Sequence, residues 1–400
     1  MDRVRLSFVR VEGLPGWVYY MLSKLKKMDI PIMGILICFM VMSTFIIYSV
    51  TWDTKYSGLH TNNWVTFAVL FVAMIGLSLV DYRIWVRQLP YVLYGVGIVL
   101  LVIVKFKGLT INGSTRWIDL GVMQFQPSEL MKLFVILVAA KLLAERNGEP
   151  LRFVRDIVPI GIVVIIPFAM VMLQPDMGTS IVFLAIFLGM LWVGNIRKKH
   201  ALLGAASIAA VIVILVGLYH YQFDLFSKII KPHQLNRIET FLDPASDPDQ
   251  SWHVLNSKIA IATGQLYGDG FRNGHYVQNG YIPYGYADSI FVVIGEEFGF
   301  AGAAVLLFLY FLLIYRMVLI SLACKDLAGC YLIIGVVSML TLQIFENIAM
   351  HIGLMPLSGI ALPFISYGGS SLLTNMIAMG FVMSVKLHPG SFSFGDERLS

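Results

Sequence analysis

One carboxylate stands where the chain changes character. Between residues 252 and 302 the sequence is polar and Gly-rich as far as Ala287 and strongly apolar from Ile290 onward, and Asp288 sits at the junction. A side chain placed there lies at the N-terminus of a helix as it enters a membrane, where unpaired N–H groups and the helix dipole favour a negative charge. Many such residues do no more than cap the helix. The same position would serve an acid that works on a ligand at the membrane rim, and charges elsewhere in the chain point the same way.

Ionisable groups inside an apolar span are costly and are functional candidates by default. Lys132 lies one turn into such a span, after Gln126, Pro127, Ser128 and Glu129. Glu129 and Lys132 share a helical face and could simply pair with each other. Arg116, in the neighbouring polar segment, brings a second cation, and guanidinium and ammonium groups at the edge of the outer leaflet suit a phosphate. Asp176 sits in a short turn between Pro175 and Met177 and is placed to cap the helix that follows.

Glu296 and Glu297 follow Asp288 at a rise of roughly 1.5 Å per residue, which puts them about 12 to 13 Å deeper, too far to form a carboxylate pair with it. They are expected to partner a buried cation such as Lys132, or to line a polar cavity. Glu346, Asn347, Ser366, Tyr367, Gly368 and Gly369 gather polar groups and flexible backbone. Irregular backbone at membrane depth is tolerated where it lines a cavity. All these residues are expected to converge on one outward-facing site.

The elements that must hold them are membrane helices. Of the 400 residues 58% are hydrophobic and 13% charged, against roughly 25% charged in a soluble domain. Long apolar segments recur along the whole chain, which excludes a soluble enzyme with an anchor and implies an all-α integral membrane protein. Ten transmembrane helices are expected near residues 30–50, 64–80, 89–104, 128–143, 157–173, 180–194, 201–219, 289–315, 327–347 and 370–386. The organisation is then a basic, interfacial cytoplasmic segment over 1–29, a ten-span domain over 30–387, and a cytoplasmic tail over 388–400. Lys and Arg are denser in the segments assigned to the inside, which supports both termini being cytoplasmic. The first apolar run is too long for a signal-peptide core and is read as a retained helix.

Two outside loops stand out. Residues 105–127 contain NGSTRWIDLG, whose Asn-Gly and Gly mark tight turns and whose Trp117 suits the interface. Residues 220–287, between spans seven and eight, form a loop longer than an idle connection. Within it HQLNRIETFLDP and SWHVLNSKIAIATG read as amphipathic pieces lying along the outer surface. The 3 cysteines form no disulfide framework and the 8 histidines show no zinc spacing. Glycines 295, 299 and 302 permit close helix approach or a kink.

Together NGSTRWIDLG, FQPSELMKL, LQPDMGTS, the KPHQLNR and FLDP elements, WHVLNSKIAI, ADSIFVVIGEEFGF and LPFISYGGSSLLTN resemble the SEDS family of bacterial cell-wall synthesis, over most of the chain from Asn112 to Leu387. The wording of RWIDLG and SSLLTN is closer to its RodA branch than to FtsW. The resemblance implies a peptidoglycan glycosyltransferase that polymerises lipid II on the outer face of the bacterial cytoplasmic membrane. It also implies a class B penicillin-binding protein as partner, beside the membrane lipids, with no nucleic acid. The family's essential Asp falls on Asp288, its conserved cations on Arg116 and Lys132, and its short-turn Asp on Asp176. Asp288 would act as general base on a sugar hydroxyl, with Arg116, Lys132, Glu129, Gln126, Asp176, Ser366 and Tyr367 around the substrate. Glu296, Glu297 and Asn347 would supply charge and polarity to the cavity.

The chain departs from the family pattern beside the key acid. Where members carry Pro-Glu and then His-Thr-Asp or His-Ser-Asp, this sequence has Pro283, Tyr284, Gly285, Tyr286, Ala287 and Asp288. The usual Gly-Ser-Gly-Gly has become Ala262, Thr263, Gly264 and Gln265. No cofactor is demanded; a magnesium or manganese ion arriving with the diphosphate is compatible, although no metal motif requires it. Two rival readings stand beside the enzyme: a flippase for lipid-linked precursors, and a non-catalytic scaffold for a penicillin-binding protein.

Overall fold

The structure, a computed structural model, describes residues 23–389 apart from 112–113, 120, 122–123, 223–225, 228–234, 236, 238 and 242–247. Most of the basic N-terminal segment, the Asn-Gly turn at 112–113, parts of the KPHQLNR and FLDP stretches and the end of the C-terminal tail therefore lie outside the described residues.

Helices α1 (Ile30–Thr51), α2 (Leu59–Leu79), α3 (Pro90–Lys107), α4 (Pro127–Ala144), α5 (Val158–Leu173), α6 (Met177–Val193) and α7 (Lys198–Tyr221) form the first part of the bundle. Helix α8 (Pro248–Thr263) lies in the long loop, and α9 (Ile290–Ala323), α10 (Leu327–His351) and α11 (Gly369–Leu387) complete the fold. Among the described residues eight helices are long and apolar enough to cross a membrane; α6 is shorter, and α4 is interrupted by Glu129, Lys132 and Lys141. The starts follow local rules. Proline occupies the first turn of α1, α3, α4 and α5, where no N–H partner is lost. Asp29, Asp176 and Asp326 cap α1, α6 and α10 with their side chains.

Burial identifies the centre. Helices α4, α10 and α11 are the most enclosed, with α4 packed on α10 and α2 packed on α11. Helix α7 buries no residue, as an element hydrophobic all round does when lipid is its solvent. At the end of the bundle opposite Asp288, fully buried Asp29 joins Arg316 of α9, at 2.7 Å, and Lys386 of α11.

The loop between α3 and α4 carries a feature the sequence did not announce: β1 (Leu109–Ile111), β2 (Ser114–Asp119) and β3 (Gln124–Phe125) make a small antiparallel sheet in the order β1-β2-β3, within a helical membrane fold. Strands this short carry too little alternation to be read from sequence. Span eight runs further than expected, to Ala323, and it bends at Gly299, one of the glycines read as permitting a kink, whose φ of 63° lies outside the helical region. The break is satisfied by the loop after α8. Phe300 and Ala301 donate their N–H groups to the carbonyls of Gln265 and Leu266, while the carbonyls of Glu296 and Glu297 accept from Asp269 and Gly270. Broken helices survive in membranes on this condition, that other backbone takes up the freed groups.

Candidate active site

Asp288 ends the loop that leads into α9. Two neighbouring segments, helix α10 and the stretch before α11, fix that loop through its main chain. Ser366 donates its hydroxyl to the carbonyl of Ala287 at 2.6 Å and itself accepts from the N–H of Leu362. The N–H of Tyr367 meets the carbonyl of Tyr286 at 2.9 Å. Asn347 Nδ2 of α10 donates to the carbonyl of Asp288 at 2.7 Å and to that of Ile360 at 2.7 Å. His351, one turn on from Asn347, places Nε2 3.0 Å from the same Asp288 oxygen. The backbone is thus held firmly and the carboxylate is left for other use.

That carboxylate does not cap α9. Ser289 occupies the cap position, and Asp288 Oδ1 is enclosed without a hydrogen-bond partner. Burial pushes the Asp288 carboxyl up to about 6, against the opposing pull of nearby backbone N–H groups and of the Arg116 and Arg237 guanidinium groups. Oδ2 faces Gly359, at 3.7 Å from where a Cβ on that residue would sit.

Arg116 projects from β2 and its Nη1 lies 3.1 Å from Asp176 Oδ2, a largely buried pair. Gln126 Nε2 donates to the same Oδ2 at 2.9 Å, while the other oxygen, Oδ1, accepts from the N–H of Thr179 at the start of α6. Asp176 therefore does both things: it caps a helix and holds an arginine. Arg237 is the residue that sequence reading missed. It feels Arg116, Asp176 and Asp288 together, and burial lowers its pKa from the ordinary value. In the sequence it closes the KPHQLNR stretch, one of those that carry the resemblance, within an amphipathic loop segment, and it received no role there.

Lys132 sits one step away. Its Nζ lies 2.8 Å from Glu129 Oε1, so the expected pair forms, fully enclosed on the lysine side. The charges acting on Asp288 are those of Arg116 and Arg237, whereas Lys132 acts on Glu346 of α10, which also feels Asp176. Both carboxylate oxygens of Glu346 and Oε2 of Glu129 are enclosed without hydrogen-bond partners. The polar interior thus runs from Asp288 through Arg116 and Asp176 to Glu346 and Lys132.

Glu296 and Glu297 are not part of it and do not meet a cation. Glu296 accepts from the N–H groups of Tyr276 and Val277 at 2.6 and 2.9 Å. Glu297 accepts from Ser49 at 2.6 and 2.8 Å and from Gln278 Nε2 at 3.0 Å. They anchor the Gly-rich loop to α9 and α1, because backbone donors can satisfy a buried carboxylate as well as a cation can. Ser366 and Tyr367 likewise position the Asp288 loop through their main-chain contacts; Tyr367 in addition accepts from Asn62 Nδ2 at 2.9 Å.

Beside Arg237 opens a cavity of about 330 Å³ between α8 and the segment after α10, lined by Phe241, Val254, Leu255, Lys258 and Leu357 among others. It is apolar with two cations at its margin, which suits an amphiphile with an anionic head. Among the described residues no three His, Cys, Asp or Glu side chains are grouped as a metal site. A magnesium or manganese ion at Asp288 would take most of its oxygens from a diphosphate.

The family described as cell cycle protein, of the FtsW, RodA and SpoVE type, matches residues 26–390. The chain is 33% identical over 370 residues to the peptidoglycan glycosyltransferase MrdB of Escherichia coli strain K12, covering 90% of this chain and 94% of that protein. It is 34% identical over 318 residues to the stage V sporulation protein E of Bacillus subtilis strain 168, covering 78% and 83%. The crystal structure of the Thermus thermophilus rod shape determining protein RodA superposes with a TM-score of 0.67 at 25% identity over 91% of this chain and 98% of that one. A chain from a structure described as "Structural coordination of polymerization and crosslinking by a peptidoglycan synthase complex" gives a TM-score of 0.76 at 28% identity over 90% and 98%.

Proposed function

The chain belongs to the FtsW, RodA and SpoVE family, and on that footing we propose that it is a peptidoglycan glycosyltransferase that polymerises lipid II in cell shape or division, with Asp288 as its general base. It works at the outer face of the bacterial cytoplasmic membrane, both termini inside, with a class B penicillin-binding protein as the partner that cross-links the product. The single observation that carries the site assignment is the Asp288 carboxylate itself: enclosed, unpartnered at Oδ1, and acted on by two guanidinium groups.

In the reaction Asp288 takes the proton from the 4-hydroxyl of one sugar as its oxygen bonds to C1 of the lipid-linked chain. The bond from C1 to the diphosphate oxygen breaks, and its electron pair leaves with the polyprenyl diphosphate. Displacement from the opposite side turns the α-linked donor into a β-glycosidic link. Asp288 then gives its proton to the diphosphate or to water. A base so placed contributes roughly 10²- to 10⁴-fold. Arg116 and Arg237 stabilise the charge growing on the leaving group, which is where fixed positive groups lower a barrier. Asp176 and Gln126 aim Arg116 before substrate arrives. Lys132 and Glu129 hold the polar floor around Glu346.

Purified protein supplied with labelled lipid II in detergent, where flipping has no meaning, tests this against the flippase and scaffold readings. Glycan polymer is expected, and none from a folded Asp288→Asn variant. Sustained polymerisation by that variant would overturn the role given to Asp288.

A further inference from the structure

Three tyrosines from three distant parts of the chain meet beside Asp288. Tyr56 comes from the turn between α1 and α2, Tyr286 from the loop leading to Asp288, and Tyr367 from the segment before α11. The ring centroids of Tyr56 and Tyr286 are 4.9 Å apart and those of Tyr286 and Tyr367 6.2 Å apart, with interplanar angles of 48° and 73°. The rings therefore form an arc and not a stack. Tyr56 is 37% exposed, so the arc is open at its outer end.

The arc is built in place. The N–H of Tyr367 bonds to the carbonyl of Tyr286 at 2.9 Å, which ties two of the rings to the loop that carries the acid. Exposed Asn62 donates to the Tyr367 hydroxyl at 2.9 Å, and Lys55 Nζ lies 5.0 Å from the Tyr56 ring centre. The Tyr286 hydroxyl interacts with that of Tyr56 and feels the charge on Asp288. Aromatic residues scattered round a membrane protein at interface depth serve as anchors. Pinned main chain, polar groups at the ring edges and an enclosed carboxylate next door suit a ligand that has an apolar face and a polar rim.

A pyranose is such a ligand, with C–H bonds on its faces and hydroxyl or amide groups round its edge. We propose that Tyr56, Tyr286 and Tyr367, with Asn62, form a saccharide subsite that holds a pyranose unit of the glycan next to the reacting pair. This rests on the assignment of the transfer reaction to Asp288.

The test uses a lipid-free β-1,4-linked N-acetylglucosamine tetrasaccharide as probe, titrated into the full-length protein in detergent and read by saturation-transfer NMR. Wild type and Asp288→Asn should both bind it saturably. Tyr56→Ala and Asn62→Ala, each checked for an unchanged melting temperature, should bind it about 2- to 10-fold more weakly, the range expected for the loss of one ring contact or one hydrogen bond. From labelled lipid II, Tyr56→Ala should make shorter strands, and Tyr56→Phe should keep near-normal length. No saturable binding to the wild type, or unchanged binding and strand length in both Tyr56→Ala and Asn62→Ala, would overturn the proposal. Should Asp288→Asn polymerise, the assignment of the base fails, while the titration still decides on the subsite.

Discussion

Asn347 reaches across from α10 and donates its amide to the main-chain oxygen of Asp288 at 2.7 Å, so a central membrane helix sets the position of the proposed base. The same amide serves Ile360 O. Removing it in Asn347→Ala leaves the Ile360 carbonyl without a donor, at a cost of about 1 to 3 kcal/mol if it stays buried, and the Asp288 carbonyl with His351 alone. A lower melting temperature in detergent and a polymerisation rate down by about tenfold or more are expected. The rate loss should exceed the loss of folded protein; a variant that melts early and still polymerises at full rate per folded molecule would show that Asn347 does not position the base.

The pH dependence follows from the raised carboxyl of Asp288. A base must be ionised to work, so with its pKa near 6 the rate should rise through pH 6 and fall by about tenfold per unit below it. The sign of the stability term is opposite to that of a salt-bridged acid. Because the folded value lies above the free one of 3.8, ionising Asp288 costs stability, a cost absent at low pH and complete above about 6. Arg237→Gln removes a charge that favours the carboxylate, so the acid limb of the rate profile should move to higher pH. A limb that stays in place in that variant would contradict the influence of Arg237 on Asp288.

Much of this arrangement was open to reading in the sequence. The helices fall where the expected spans lay; among the described residues eight are marked by length and apolar content alone, while α4 and α6 are not. Asp288 was visible because a lone acid at a sharp change of character is rare. Arg237 was not, because an arginine in a polar loop bears no visible cost, and only the fold reveals that the loop folds back over the site. Glu296 and Glu297 were misjudged for a related reason. An acid inside a span suggests a cation, but the donors here are peptide N–H groups and small side chains that no pattern announces. The sheet around Arg116 escaped for want of length.

Asp176 separates structural from catalytic use of one side chain. Asn caps helices about as well as Asp, so Asp176→Asn should retain the bond to the N–H of Thr179 and melt near the wild type. Arg116 loses its counter-charge in that variant and is no longer held 3.1 Å away. Polymerisation should fall by about tenfold or more, as expected when a charge aimed at a leaving group is misplaced. Asp176→Ala should lose the rate and, in addition, about 0.5 to 2 kcal/mol of stability. Equal rates in wild type and Asp176→Asn would mean that Arg116 needs no such support.

Gly299 marks the point on which the geometry above Asp288 turns. Its φ of 63° is one that an L side chain rarely adopts, and a Cβ there would lie 2.5 Å from Gly268 N and 2.6 Å from Gly264 O. These are backbone atoms, which cannot swing aside as a side-chain tip can. Gly299→Ala must therefore either straighten α9 or push the loop after α8 away. Straightening would close the intrahelical bonds and withdraw the partners of Gln265, Leu266, Asp269 and Gly270. The Gly-rich loop would then lose its anchor on the outer half of α9, and with it the frame that ends at Asp288. A loss of more than about 2 kcal/mol is expected from strain and overpacking together, read as a lower melting temperature and faster proteolysis within residues 264–286. Gly34→Ala in α1 is the useful contrast, because a Cβ on that glycine would meet nothing within 4 Å. It should be the milder of the two; if Gly299→Ala proved as stable and as active as the wild type, the break in α9 would not be what holds the loop.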